Sequence, residues 1–152
     1  MADVSLKEEL LFRSACKEDI NRIDGIEKRV FPYPWSKAQL YYELINKASV
    51  PIVVEFSGKL IGYSFSFYVV DEGHIANISI DTPYRGRGFG GSLLDRTIYE
   101  LSDRGAEKIF LEVRENNYTA INMYVSRDFV EYGIRRRYYA NGENAILMKK
   151  EI

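Results

Sequence analysis

A chain of 152 residues, 46% hydrophobic and 28% charged, suits one domain built around one core, expected to span 1–152. A net charge of −1 argues against a broad nucleic-acid surface, which needs many Lys/Arg–phosphate contacts, but it leaves room for a small basic pocket. Cys16 is the only cysteine, which excludes an internal disulfide and a cysteine-based zinc cluster; with no secretory h-region and no apolar run near about 18 residues, the expectation is a cytoplasmic protein with no membrane partner.

Residues 10–15 read as a short strand and residues 17–30 as a helix. Ile20, Ile23, Ile26 and Val30 share one face, and Glu18 and Asp19 occupy the first turn, where the helix dipole favours anions. The same dipole would lower the Cys16 thiol pKa, although a small residue at a strand–helix junction needs no such role. Phe31-Pro32-Tyr33-Pro34-Trp35 ends the helix, because proline cannot continue it. Ser36 can cap a second helix to about residue 47. Strands at 51–56 and 60–70 flank a tight Ser57-Gly58 turn, and a third strand covers 74–81. A glycine-rich loop leads into a helix carrying Leu94, Ile98 and Leu101 on one face, with Gly105 as its stop. Residues 108–114 form a strand with apolar residues pointing both ways, as a covered central strand requires. Asn116 or Asn117 caps a helix to about 127. Two last strands, near 129–138 and 144–150, flank a hairpin-type turn at Tyr139-Ala140-Asn141-Gly142. The fold class is mixed α/β, a mixed sheet with helices on both faces.

The loop Arg85-Gly86-Arg87-Gly88-Phe89-Gly90-Gly91 lies between a strand and a helix. Its glycines let backbone N–H groups turn inward around an anion. The following helix adds roughly half a positive charge at its N-terminus. Arg85 and Arg87 add full charges and planar donors. This is chemistry for a pyrophosphate. A mononucleotide P-loop would need Gly-Lys-Ser/Thr, which is missing, and a dinucleotide fold would place its glycine turn after the first strand.

Arg85-Gly86-Arg87-Gly88-Phe89-Gly90 resembles the Arg/Gln-x-x-Gly-x-Gly/Ala loop of the GNAT acetyltransferases. Asn77-Ile78-Ser79-Ile80-Asp81 resembles the family strand that pairs with the pantetheine arm of acetyl-CoA. The resemblance runs from about Leu10 to the C-terminus. It is sharpest to the RimI-type and archaeal N-terminal acetyltransferases, through Leu111-Glu112-Val113-Arg114-Glu115-Asn116-Asn117, Ala120-Ile121-Asn122-Met123-Tyr124, the Phe31–Ser36 segment and Tyr138-Tyr139-Ala140-Asn141-Gly142-Glu143-Asn144-Ala145. Asn144 stands where Asp is common, a turn position expected to matter little; Asn116 stands where Ser is usual. The resemblance implies the GNAT fold, a central mixed seven-stranded sheet flanked by about four helices. It also implies acetyl-CoA as cosubstrate, held by Ile78, Ser79, Ile80, residues 85–91 and Asn117, though Asn117 is equally well read as a helix cap. Phe31, Pro32, Tyr33, Tyr138 and Tyr139 match the segments that clamp a peptide N-terminus.

Acetyl transfer to an amine requires a neutral nucleophile, a donor for the oxyanion and a stabilised leaving thiolate. Glu112, in an otherwise apolar strand, is a candidate base whose burial would raise its pKa, and the resemblance adds that it acts through an ordered water. A solvated strand-end Glu is its plainer reading. Tyr124, with an ordinary pKa near about 10, is the candidate acid, and the resemblance places such a Tyr beside the CoA sulfur. His74, the only histidine, is a second base candidate, and no metal site assembles around it. Arg135-Arg136-Arg137 reads as a solvated strand face.

The expected partner is therefore a protein or peptide N-terminus, a ribosomal protein among the candidates, and the need for an auxiliary subunit stays open. Two rivals remain: a lysine or small-molecule acetyltransferase on the same fold, and a silent acyl-CoA-binding module.

Overall fold

Strand alternation and turn chemistry build the sheet. In the computed structural model, which describes residues 9–152, β1 (Leu10–Ser14), β2 (Ile52–Phe56), β3 (Lys59–Val69) and β4 (Glu72–Ile80) form an antiparallel run. The β2–β3 turn takes positive φ at both Ser57 (52°) and Gly58 (79°), the geometry that matches the strand twist of a two-residue hairpin. β5 (Lys108–Arg114) joins parallel to β4, and β7 (Ala145–Glu151) and β6 (Val130–Arg135) complete the order β1-β2-β3-β4-β5-β7-β6.

Two helices lie on each face. α1 (Ile20–Val30) and α2 (Lys37–Ile45) bury Ile20, Ile23, Ile26 and Leu40 against Val53, Tyr63 and Phe65. α3 (Phe89–Asp103) and α4 (Tyr118–Val125) bury Leu93, Leu94, Leu101 and Tyr124 against Ile52, Val54, Ile61, Leu111 and Met148 on the opposite face. Each fully buried aliphatic side chain contributes about 1.5–3 kcal/mol. Buried hydroxyls in the second core are matched: Ser64 and Thr97 pair at 2.8 Å, Thr97 also donates to the Leu93 carbonyl, and Ser66 donates to the Val50 carbonyl (3.2 Å). Ser36 caps α2 by accepting from the Gln39 N–H, and Asn117 caps α4 by accepting from the Ala120 N–H.

The sheet opens in its middle. β4 and β5 pair only from Glu72↔Lys108 to Ile75↔Leu111. The β3–β4 register shifts between Phe65 and Ser66, which leaves Ala76 as an extra, exposed residue in β4. Beyond this bulge β4 pairs with β3 alone, β5 pairs with β7 alone, and the two part like the arms of a V.

Several expectations need correction. The α-helix begins at Ile20, and Lys17–Asp19 is a 3-10 turn, because Asp19 is drawn back by the Cys16 N–H (2.9 Å) and a two-pronged Arg13 pair (2.8 and 2.9 Å). Cys16 therefore sits among carboxylates: hydrogen bonding to Glu18 and Asp19 pushes its thiol up, the reverse of the dipole argument. β6 stops at Arg135, so the connection to β7 is the long loop 136–144, and Arg136 and Arg137 lie past the strand. His74 lies inside β4, which starts at Glu72. The expectation about an N-terminal leader falls on residues 1–8, outside the described residues. Among the described residues no helix is long and apolar enough to cross a membrane.

Candidate active site

A cavity of about 1990 Å³ occupies the V between β4 and β5 and extends to both sheet faces. That exceeds the roughly 300–1,000 Å³ of a single drug-sized ligand and suits a long ligand together with a second one.

One end is made by the glycine loop. Asp81, held by both forks of Arg29 (3.1 and 2.8 Å), accepts from the Thr82 N–H and anchors the loop's start. Arg85 turns back to donate from Nε to the Ile80 carbonyl (3.0 Å), closing the end of β4. Gly86 and Gly88 take φ of +77° and +83°, values side chains rarely adopt, and a Cβ on either would point into open space. Gly88 is the N-cap of α3, and no side chain caps the helix, so its first N–H groups are left for an anion. Arg87 lies outside the lining, its guanidinium 4.9 Å from the Phe56 ring centre and 5.1 Å from that of Phe89. Gly91 has a different reason to lack a side chain: a Cβ there would come within 2.3 Å of the Arg127 guanidinium, which pairs with Asp95 across the top of α3. Arg127 also lines the cavity, a residue the sequence reading did not single out.

These features fit the pyrophosphate and amide arm of acetyl-CoA: an uncapped helix start, two glycines whose missing side chains leave the loop surface clear, and a β4 edge at residues 76–80 with no β5 partner. Ser79 Oγ, buried in the same strand, has no hydrogen-bond partner. Among the described residues no cluster of His, Cys, Asp and Glu is arranged to hold a metal ion.

The middle of the cavity carries the candidate catalytic groups. Glu112 follows the last β4–β5 pair, on the face of β5 shared by Phe110 and Arg114. The expected burial is absent: its side chain is 38% exposed and lies 3.8 Å from Arg135. The strand covers Leu111 and Val113 only on the α3 side, and the splay bares the other face. The Glu112 carboxylate raises the pKa of the neighbouring Tyr138 phenol. Tyr124 is buried at 5% exposure, its ring edge-on to Phe129, and burial followed by nearby Tyr139 pushes its phenol well above the ordinary value. His74 is stacked between Phe67 (4.9 Å) and Phe110 (5.4 Å), with Nε2 3.5 Å from Glu72. Its ring thus lines the cavity on the same sheet face as Glu112, one pair back from the split.

The far end is bounded by two loops, 31–35 and 136–144. Phe31, Pro32, Tyr33, Tyr138 and Tyr139 all line it. Arg114 joins the loops: its guanidinium lies 3.9 Å from the Tyr139 ring centre and 6.0 Å from that of Tyr33, and it donates to Asn141 (3.3 Å) and Glu143 (3.4 Å). Burial drives the Tyr139 phenol up to about 12. Asn144 is not idle at the loop base. Its Oδ1 accepts from the Arg137 N–H (2.9 Å) and its Nδ2 donates to Glu115 (3.2 Å), so an amide fits where a carboxylate would face Glu115.

Another missed residue is Glu27. It is 1% exposed, yet it borders the cavity. Its Oε1 accepts from the Tyr63 hydroxyl and from Asn77 Nδ2 (2.9 Å), and its Oε2 accepts from the Trp35 backbone N–H (2.9 Å). The signal was present: position 27 is four after Ile23 and three before Val30, so a carboxylate falls on the apolar face of α1.

Comparison with known proteins follows the same lines. Residues 20–129 match the model of the acetyltransferase (GNAT) family. The chain is 35% identical over 126 residues to the ribosomal protein bS18-alanine N-acetyltransferase of Escherichia coli, covering 81% of this chain and 84% of that one. It is 32% identical over 149 residues to an N-alpha-acetyltransferase of Sulfolobus acidocaldarius, covering 90% and 89%. The crystal structure of the ribosomal-protein-S18-alanine N-acetyltransferase from Escherichia coli superposes with a TM-score of 0.89 at 33% identity, over 95% of this chain and 94% of that one.

Proposed function

The chain belongs to the acetyltransferase (GNAT) family and is an N-acetyltransferase, and on that premise we propose that the amine it acetylates is the α-amine of a polypeptide N-terminus. The observation that carries the proposal is the far end of the cavity, where two aromatic loops are pinned to each other through Arg114, opposite the glycine loop. Such walls suit an extended backbone with its terminal amine pointing to the split between β4 and β5. The relatives named above act on protein N-termini by their names, and a ribosomal protein is the candidate acceptor.

Acetyl-CoA, when bound, supplies an acetyl group already activated as a thioester. The chain's own residues do the rest. The α3 N-terminus and the Gly86 and Gly88 amides hold the pyrophosphate, and the free edge at residues 76–80 orients the arm. Glu112, open to solvent, accepts the amine's proton through a water, a role that suits an accessible carboxylate as well as a buried one. His74 sits one strand away as a second acceptor on that route. Tyr124 keeps its proton through neutral pH and donates a hydrogen bond to the departing sulfur. Because its phenol is held far above a free thiol's pKa of about 8.5, it stabilises the departing sulfur by donating a hydrogen bond.

Proton energetics favour an α-amine. Its pKa of about 7.7–8.0 leaves roughly a tenth of it neutral at pH 7, whereas a lysine at about 10.4 demands about 3.4 kcal/mol more deprotonation work. A peptide with a free N-terminus and an internal lysine should therefore gain one acetyl group, at the N-terminus, and blocking that terminus should remove nearly all turnover. Tandem mass spectrometry locates the group; predominant lysine labelling refutes the N-terminal reading.

A further inference from the structure

Glu27 takes no part in the chemistry just described, yet it is the most deeply buried carboxylate of the described residues that borders the cavity. A buried carboxylate must be satisfied, and this one is satisfied by three neutral donors, each from a different part of the chain. Trp35 belongs to the 31–35 loop. Tyr63 belongs to β3. Asn77 is the first β4 residue after the bulge, in the segment that has left β5. The Glu27 side chain therefore ties one wall of the acceptor end to the strand expected to carry the acetyl donor. The loop also starts from this residue, since the Phe31 N–H donates to the Glu27 carbonyl (3.0 Å). The two prolines within the loop provide no N–H of their own, so the Trp35 N–H is its main-chain fastening at the α2 end.

Resting on the N-terminal acetyltransferase reading, we propose that Glu27 is a positioning residue: its carboxylate sets the gap between the 31–35 loop and β4, and thereby the affinity for the acceptor peptide. It touches no reacting atom in this account. A glutamine in its place offers one acceptor oxygen and one NH₂ group. If the oxygen serves Tyr63 and Asn77, the NH₂ confronts the Trp35 N–H and the loop is released.

The chain carries a built-in reporter, because Trp35 is its only tryptophan. Glu27→Gln should make Trp35 fluorescence more accessible to acrylamide quenching with no substrate present. Asn77→Asp should do the same, by setting carboxylate against carboxylate. In the double variant Glu27→Gln/Asn77→Asp the polarity is reversed: the amide now at position 27 donates to the carboxylate now at position 77 and accepts from the Trp35 N–H, so quenching should return toward the wild-type level. In kinetics, each single variant should raise the peptide KM roughly tenfold, the loss of about one hydrogen bond to a charged group, and the double variant should recover most of it; in Glu27→Gln, which leaves the cofactor-holding strand edge untouched, kcat and the acetyl-CoA-induced Tm shift should stay close to wild type. A purely structural role would lower Tm in every variant without this KM split or its rescue, and that result overturns the proposal. Unchanged quenching in both single variants overturns it as well. Should Glu27→Gln fail to fold, Asn77→Asp and the double variant still carry the test. A wild-type chain that turns over no free-N-terminal peptide counts against the functional reading and the acceptor role together, while the quenching data separately report whether the tether holds the loop.

Discussion

At the glycine-loop end of the cavity the wall is main chain: two glycines at positive φ, the uncapped first turn of α3, and a strand edge without a partner. At the loop end the wall is side chain: Arg114 between two tyrosine rings, Glu143 and Asn141 beneath it, and Glu27 behind Trp35. The first end depends on backbone geometry, which any side chain in the wrong place destroys. The second depends on a network in which one contact can go while others remain. The contrast suits two ligands of different kinds, one cosubstrate of fixed structure and a family of polypeptides.

The contrast breaks most sharply at Gly88. Gly88→Val puts a β-branched residue at φ +83° in the loop, and it should abolish the rise in Tm that acetyl-CoA gives the wild-type chain. A preserved shift would remove the loop from the cofactor site. Next come the groups between the two ends. Glu112→Gln and Tyr124→Phe should each lower kcat by roughly ten- to a thousand-fold with little change in acetyl-CoA affinity, and His74→Ala should fall less. The pH profile sharpens this reading. kcat/KM should rise as the acceptor amine loses its proton, level above about pH 8, and show no descending limb below about pH 10, because burial raises the Tyr124 phenol and delays its ionisation. A fall between pH 8 and 10 would name a different donor.

Smaller effects belong to the side-chain end. Glu143→Gln leaves Arg114 its Asn141 partner and its stacking on Tyr139, so peptide KM should rise only a few-fold, roughly 1 kcal/mol or less, with acetyl-CoA binding untouched. A loss as large as that of Gly88→Val would show that the two ends are built alike. Smallest is Asn144→Asp, which sets a second carboxylate against Glu115 and should lower Tm by about 2–4 °C in a differential scan, the effect of about 1 kcal/mol in a chain of this size. No change in Tm would make the Asn144–Glu115 contact unimportant.

The sequence disclosed the two ends unequally for the same reason. A backbone site needs glycines at fixed spacing, and these stand together between β4 and α3, where the pattern alone put them. A side-chain site joins residues far apart: Arg114 meets Glu143, and Glu27 meets Asn77 fifty positions away. Local periodicity carries no information about such pairs. Element order was readable because apolar spacing is local, whereas β6 was read three residues too far at its C-terminal end because Arg136 to Tyr138 breaks no strand rule. The exposure of Glu112 was hidden for a further reason: an apolar strand promises cover on both faces, and only the splay of the sheet withdraws it.

The extra residue in β4 has a consequence for how this chain can change length. In a regular strand, residues an odd number apart face opposite ways, so His74 and Asn77 would lie on opposite sides of the sheet. Ala76 restores the parity, placing His74, Asn77 and Ser79 together on the side of α1 while Ile75, Ile78 and Ile80 fill the other. Removing that single alanine would leave composition, charge and every motif intact, yet it would turn a carboxamide and a hydroxyl into the packed aliphatic layer under α3 or drive the isoleucines out of it. Insertions and deletions are tolerated in surface loops, but in this stretch of strand they are counted in steps of two.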